Sequence, residues 1–131
     1  MLVEVMLALV LFGLTISVVV GALLYGSASL RQAGLRAQAS FLAEQGLEAV
    51  RNIRDDSFAN LNDGGYGLTL DGSAWELTSG PDETGVFTRQ ITISSVSPTL
   101  KQIDVTVTWE GFSQSISTSS ASSYLADWGQ P

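Results

Sequence analysis

The chain of 131 residues contains neither cysteine nor histidine. These absences exclude a thiol nucleophile, a Ser-His-Asp triad and zinc sites built on thiolate or imidazole ligands. Basic residues are also scarce, with six lysines and arginines against 13 acidic residues and a formal net charge of −7. Binding to nucleic-acid phosphates needs a basic face, so the charge predicts no nucleic-acid contact.

Charge is absent altogether from residues 5–26, a run of 22 residues. A helix of this length spans roughly 33 Å, which is enough for the hydrocarbon core of a bilayer. A soluble domain this small cannot bury such a helix on all sides. A cleaved signal peptide and a plain single-pass anchor are both open alternatives. The run is longer than the usual apolar core of a signal peptide, and no basic segment precedes it.

Glu4 stands immediately before this apolar run. A carboxylate costs about 2.5–3.5 kcal/mol at the centre of a membrane span and less near its ends, so such residues usually have a partner. Glu4 either complements the positive end of the helix dipole or pairs with a cation on another subunit. Gly13 and Gly21 interrupt the run and are candidates for helix flexibility or packing, because glycine loosens a helix and allows close approach.

Leu2, Val3, Glu4 and Val5 lead directly into the apolar residues 6–11. This opening resembles the N-terminal segment of type IV pilins and type II secretion pseudopilins, in which an acid precedes a long apolar helix. Two later segments, AEQGLEAVR at residues 43–51 and YLADW at residues 124–128, are similar to segments of bacterial minor pilins.

The resemblance implies a structural subunit, a minor pilin or pseudopilin, and not an enzyme. Such a subunit assembles through its hydrophobic N-terminal helix into a type IV pilus or a related type II secretion or DNA-uptake filament. Leu2, Val3, Glu4 and Val5 are then the assembly residues, and a neighbouring subunit's N-terminal amine faces Glu4. The implied partners are inner-membrane lipid, other pilin or pseudopilin subunits, and prepilin peptidase acting on a full-length precursor. No cofactor is implied.

The expected membrane topology follows from the resemblance. Arg31 and Arg36 flank the C-terminal side of the apolar run, and the positive-inside rule applied to them alone places the next domain in the cytoplasm. The family's basic leader, its cleavage-site glycine and the following aromatic residue do not appear ahead of Leu2, where Met1 stands. The resemblance implies a leader upstream of Met1, which would supply the cytoplasmic charge. We therefore expect a single-pass protein of the bacterial inner membrane with its C-terminal domain outside, which later enters a pilus or a periplasmic or extracellular filament.

Residues 30–54 have apolar side chains at spacings of three and four, which predicts an amphipathic helix. The apolar stripe consists of Leu35, Ala39, Leu42, Gly46, Ala49, Val50 and Ile53. No proline occurs before Pro81, so we expect one helix from about Leu2 to about Ile53. The pattern ends at Asp55.

Strand patterns follow the helix. Residues 66–70 and 74–78 flank Asp71-Gly72-Ser73, which is a hairpin signal, and residues 79–85 predict a loop. Residues 86–94 and 102–109 alternate as strands, although Arg89 departs from the apolar alternation of the first. Residues 112–118 give a weaker strand, within a serine-rich stretch (113–123) expected to form a polar edge strand and loop.

The fold class expected from these patterns is α+β and pilin-like. A long N-terminal helix packs the stripe of its C-terminal half on a four- or five-stranded antiparallel sheet arranged as a meander. Residues 1–29 form the transmembrane or filament-core segment. Residues 30–131 form the extracytoplasmic domain, with its helix at 30–54 and its sheet at 66–128. The second hypothesis is a membrane-tethered extracytoplasmic binding module that does not polymerise.

Acidic groups and aromatic residues complete the set of candidates. The acidic groups at residues 55–56, at 63 near 71, and at 82–83 match no calcium-loop spacing, so solvated loops and no metal are expected. A one-sheet domain has little room for a carboxylate pair across a catalytic cleft. Trp128 either packs back as a last strand or lies exposed at a subunit contact. The aromatic residues expected in the core or on the sheet face are Trp75, Trp109, Phe87, Phe112, Tyr66 and Tyr124.

Overall fold

A computed structural model of the chain describes residues 1–111 and 114–129. The helix α1 (Leu2–Asp56) is followed by a short 3₁₀ turn (Phe58–Asn60) and six strands. The strands are β1 (Gly64–Asp71), β2 (Ala74–Ser79), β3 (Asp82–Thr84), β4 (Phe87–Ser97), β5 (Leu100–Glu110) and β6 (Ile116–Ala126). The chain divides into two compact units, Met1–Leu35 and Arg36–Pro131, and α1 contributes residues to both.

The first unit, Met1–Leu35, contains only the N-terminal part of α1, and none of its residues is buried. Among the described residues, α1 is the one helix long and apolar enough to cross a membrane. The sequence predicted one helix ending near Ile53, and this is confirmed, since α1 ends at Asp56. The predicted boundary between residues 29 and 30 divides a membrane or filament-core segment from an extracytoplasmic domain. It stays a prediction.

The second unit, Arg36–Pro131, contains a fully antiparallel sheet in the order β2-β1-β4-β5-β6, with β3 paired to β4. The predicted hairpin around Asp71-Gly72-Ser73 is confirmed as the β1–β2 pair. The described residues form six strands where four or five were expected, and β1 pairs with β4, so the sheet is not a simple meander. The strands predicted at 86–94 and 102–109 are β4 and β5.

The extra strand, β3, lies where the sequence predicted a loop, so that prediction was wrong for Asp82–Thr84. Thr84 pairs with Phe87, and the turn between them starts with Gly85 at a positive φ of 63°. Glycine adopts this conformation without steric cost, and it suits the tight turns of two-residue hairpins.

The last strand begins later than the sequence predicted. The weak strand expected at 112–118 includes Phe112, which lies outside the described residues. The structure instead has β6 at Ile116–Ala126, paired along its whole length with β5. A long neighbouring strand supplies a template that outweighs the modest strand propensity of serine, because sheet context dominates such preferences.

The core of the second unit lies between the helix stripe and one face of the sheet. Ala39, Gly46, Ala49, Val50 and Ile53 are buried as the stripe predicted, together with Ala43. Leu35 and Leu42 are only half-buried. The sheet contributes Ile91, Ile93, Ile103, Val105 and Val107.

The aromatic predictions divide into two groups. Phe87 and Trp109 are buried, with their ring centroids 5.9 Å apart, as expected for core residues. Trp75 and Tyr66 are half-buried on the sheet. Tyr124 is exposed in β6, so of the two expected positions it has the sheet face and not the core. Its position in β6 alternates with the buried Leu125, which points Tyr124 to the opposite face.

Candidate assembly site

Glu4 lies in the first turn of α1 with 84% of its side chain exposed. Its carboxylate accepts an ion-pair contact from the Met1 ammonium at 3.5 Å. An ion pair this exposed contributes little because water screens it. Leu2, Val3 and Val5 are also exposed. The site is therefore an accessible acid at the edge of an apolar surface. The assembly role of these four residues stays a prediction.

The apolar segment, residues 5–26, has few hydroxyl groups, and two of them are bonded within the helix. Thr15 Oγ1 donates to the Leu11 carbonyl at 2.8 Å, and Ser17 Oγ donates to the Gly13 carbonyl at 2.9 Å. Hydroxyls that bond the preceding turn need no water, so they are tolerated in a medium that offers none. The segment therefore has an exposed surface suited to lipid or to other apolar helices.

Gly13 and Gly21 border open space. Apart from its chain neighbours and the adjacent helix backbone, a Cβ added at either glycine meets no atom within 4 Å. Packing inside the chain therefore does not require glycine at these positions. Their predicted role in helix flexibility, or in close approach by another helix, stays a prediction.

Arg89 forms a buried polar network that the sequence indicated only as a break in an apolar alternation. Its Nε and Nη2 atoms donate to the Asp82 carboxylate at 3.1 and 2.8 Å. Its Nη1 donates to the Leu42 carbonyl at 3.3 Å and to Gln45 Oε1 at 3.2 Å. Asp82 also accepts from the backbone N–H of Leu68 at 2.9 Å. The network connects the helix with β1, β3 and β4.

The acidic groups that were considered for calcium have basic partners. Asp82 pairs with Arg89, Asp55 with Arg54, and Asp63 with Lys101. The hydrogen bond from Lys101 Nζ to Asp63 is 2.6 Å long, and with a further bond from Ser95 it lowers the pKa of the Asp63 carboxyl. Within residues 1–111 and 114–129, no three or more acidic side chains converge as metal ligands would.

The second unit has two further surface features. An apolar groove of about 580 Å³ lies between residues 37–42 of the helix and residues 84–87, and the exposed side chains of Phe41 and Val86 line it. Trp128 is exposed beyond the end of β6, and the Arg54 guanidinium lies 5.8 Å from its ring centroid. Trp128 is therefore exposed and does not belong to a last strand, and its predicted place at a subunit contact stays a prediction.

No protein-family model, no curated protein and no solved structure matches this chain. The class of protein that the fold defines is α+β with a pilin-like architecture, in which one long N-terminal helix packs against an antiparallel sheet. The same helix has an N-terminal part that is apolar and long enough to cross a membrane.

Proposed function

We propose that this chain is a structural subunit, a minor pilin or pseudopilin, of a type IV pilus or a related secretion or DNA-uptake filament. The observation that carries the proposal is Glu4, an exposed acid at the start of an exposed apolar helical segment. Before assembly, this segment anchors the subunit in the inner membrane. After assembly, it lies in a filament core built from the same segments of other subunits.

The transfer from membrane to filament is consistent with the chemistry of the segment. Lipid tails and apolar side chains are similar in polarity, so moving residues 5–26 from lipid into a protein core changes the hydrophobic energy little. Glu4 supplies the directional part of the contact, because a carboxylate in an apolar core needs a cation from a neighbour. A contact of this kind between different surfaces does not close on itself and generates an open helical fibre.

The second half of α1 also supports the proposal. It contains all the buried residues of the helix, from Ala39 to Ile53, while no residue of Met1–Leu35 is buried. The helix therefore has one part committed to its own domain and one part available to lipid or to other subunits. The helix of a cleaved signal peptide would not need to continue into a folded domain.

The test is a Glu4→Gln variant, produced in the cells that normally make the protein. The variant removes the charge and keeps the size of the side chain. We expect it to remain in the membrane fraction after alkaline extraction and to be lost from the sheared filament fraction. Glu4→Asp is the matched control, because it keeps the charge and should retain part of the assembly. Equal incorporation of wild type and Glu4→Gln would contradict the proposal.

The proposed partners include prepilin peptidase, acting on a precursor with a basic leader. Intact-mass analysis of the protein isolated from its native membrane tests this step. We expect the mass of a chain cleaved just ahead of the segment that contains Glu4, with a methyl group on its new N-terminal amine. A mass that retains a leader contradicts the processing step.

A membrane-tethered binding module that never polymerises is the second candidate. The apolar groove beside Phe41 and Val86 favours it, because a concave apolar surface is a common ligand site. This candidate predicts that Glu4→Gln leaves the localisation and interactions of the protein unchanged. The same experiment therefore separates the two candidates.

A further inference from the structure

Strand β6 forms one edge of the sheet. It pairs with β5 from Leu100↔Ala126 to Glu110↔Ile116, and it is the last strand in the sheet order. In an antiparallel pair, alternate backbone groups point away from the neighbouring strand. No described strand pairs with the outer side of β6, so these groups form a template for another strand.

The edge at β6 lacks the protection that sheet edges usually carry. Natural edge strands are short, or contain charged residues or proline that block pairing. β6 has 11 residues, of which none is charged and none is proline. The edge strand on the other side, β2, has six residues and contains the charged Glu76. The two edges therefore differ, and β6 is the one open to pairing.

Two large apolar side chains on β6 are exposed on one face. Ile116 is 78% exposed and Tyr124 is 62% exposed. They are eight residues apart, an even spacing that puts them on the same face of a strand. This face is opposite the one that carries the buried Leu125. Ile116 and Tyr124 lie near the two ends of the strand. A partner strand that covers both side chains would therefore bury the most exposed apolar surface.

We propose that two copies of this chain pair through β6, antiparallel, with Ser120 of one copy opposite Ser120 of the other. In this register Ile116 lies directly opposite Tyr124 of the second copy, and the arrangement occurs twice by symmetry. Side chains directly opposite in an antiparallel pair have Cβ atoms about 4.5–5.5 Å apart, so each Ile116 and the Tyr124 opposite it cover each other.

A second copy fits this edge because of its charge and length. A symmetric pair brings residues near the centre of the strand close to their own counterparts, so a charge there would meet a like charge. Two chains that each have a net charge of −7 repel each other overall. The β6 strand itself carries no charge that would oppose pairing at this edge. Pairing β6 with β2 instead would involve only the six residues of β2 and would place Glu76 in the contact.

The proposed pair is independent of filament growth. A symmetric contact closes on itself after two copies, whereas a filament needs a contact that continues. The β6 pair therefore does not rest on the proposed function and uses a different part of the chain. The Glu4→Gln substitution should remove filament incorporation and leave β6 pairing unchanged.

Disulfide cross-linking of the full chain in detergent micelles tests the register directly, because the natural sequence contains no cysteine. In the proposed register, two Ser120→Cys thiols have Cα atoms about 4.5–5.5 Å apart, within disulfide range. Two Ser122→Cys thiols are offset by four residues, roughly 14 Å along the strands, which is outside that range. Glu76→Cys provides a control on the other sheet edge.

We expect oxidation to give a covalent dimer with Ser120→Cys and at least fivefold less dimer with Ser122→Cys and with Glu76→Cys. Equal yields from the three variants, or no dimer from Ser120→Cys, would overturn the proposal. A Ser120→Lys variant provides a second measurement, since it brings two like charges together. Circular dichroism should show an unchanged fold, and sedimentation should show loss of the dimer. A dimer that persists with Ser120→Lys overturns the proposal as well.

Discussion

The guanidinium of Arg89 lies 2.8 Å from the carboxylate of Asp82, with only 5% and 15% of the two side chains exposed. The remaining donors of Arg89 reach Leu42 and Gln45 on the helix. A buried charge is tolerated only when it is paired and its hydrogen bonds are satisfied, and both conditions hold here. This ion pair therefore fixes the contact between the helix and the β3–β4 hairpin.

Replacing Arg89 with methionine should strongly destabilise the second unit. The substitution leaves the Asp82 carboxylate buried without its counter-ion, which typically costs about 3–5 kcal/mol. Thermal unfolding of the full chain in detergent, followed by circular dichroism, measures the loss. Arg51→Met is the matched control, because Arg51 pairs with Glu48 at the surface, where ion pairs contribute little. Equal melting temperatures for the two variants would contradict the role given to the buried pair.

Gly46→Ala should destabilise the contact between the helix and the sheet. An added Cβ would lie 2.8 Å from Val105 Cγ1, and valine is a stiff side chain that cannot easily move aside. Overpacking typically costs about 1–3 kcal/mol, against a gain of up to about 1 kcal/mol in helix propensity. Gly34→Ala is the control, since its Cβ meets nothing within 4 Å, and it should melt no earlier than wild type.

The Gly46 prediction has an internal check. If the clash with Val105 is the cause, the double variant Gly46→Ala/Val105→Ala should lose less stability than the two single losses added together. Contacting residues show such non-additivity, and distant ones do not. Strictly additive losses would mean that Gly46 matters for another reason.

Much of the fold could be predicted from local patterns. The uncharged run, the three-and-four spacing and the absence of early proline predict α1, and Asp71-Gly72-Ser73 predicts the first hairpin. The β3 strand could not be predicted, because three polar residues carry no strand signal without the Asp82–Arg89 pair that holds them. The position of β6 depends on β5 as its template. Tyr124 faces solvent because of that pairing, which its own sequence does not reveal.

The candidate assembly site was predictable to a lesser degree. Glu4 and the apolar run are visible in the sequence, because a charge next to an uncharged stretch is a local feature. The exposure of the run is a property of the folded chain, in which the buried residues of the helix all lie between Ala39 and Ile53. The sequence predicted a polar edge strand within residues 113–123, and β6 is an edge strand of the sheet. Its full length could not be predicted, because it depends on pairing with β5.

The stability of the second unit should decrease in acid partly through Asp63. Its folded-state pKa is lowered by Lys101 and Ser95. The stabilisation that the Asp63 carboxylate contributes is therefore complete above the pKa of this group in the unfolded chain, about 3.9. It is lost as the pH falls through the pKa of the group in the folded chain. We expect Asp63→Asn to melt earlier than wild type at pH 6, with the difference shrinking below about pH 4. A difference that stays constant from pH 6 to pH 2.5 would contradict this assignment.

The central claim is that residues 5–26 leave lipid for a core made of the same segments of other subunits. A photo-activated cross-linker attached to the thiol of a Ser17→Cys variant reports the neighbours of this segment. In filament material, the account predicts cross-links to other subunits, and in a Ser17→Cys/Glu4→Gln variant it predicts cross-links to lipid alone. Cross-links to lipid alone with Glu4 intact, in every fraction of the cell, would contradict the account.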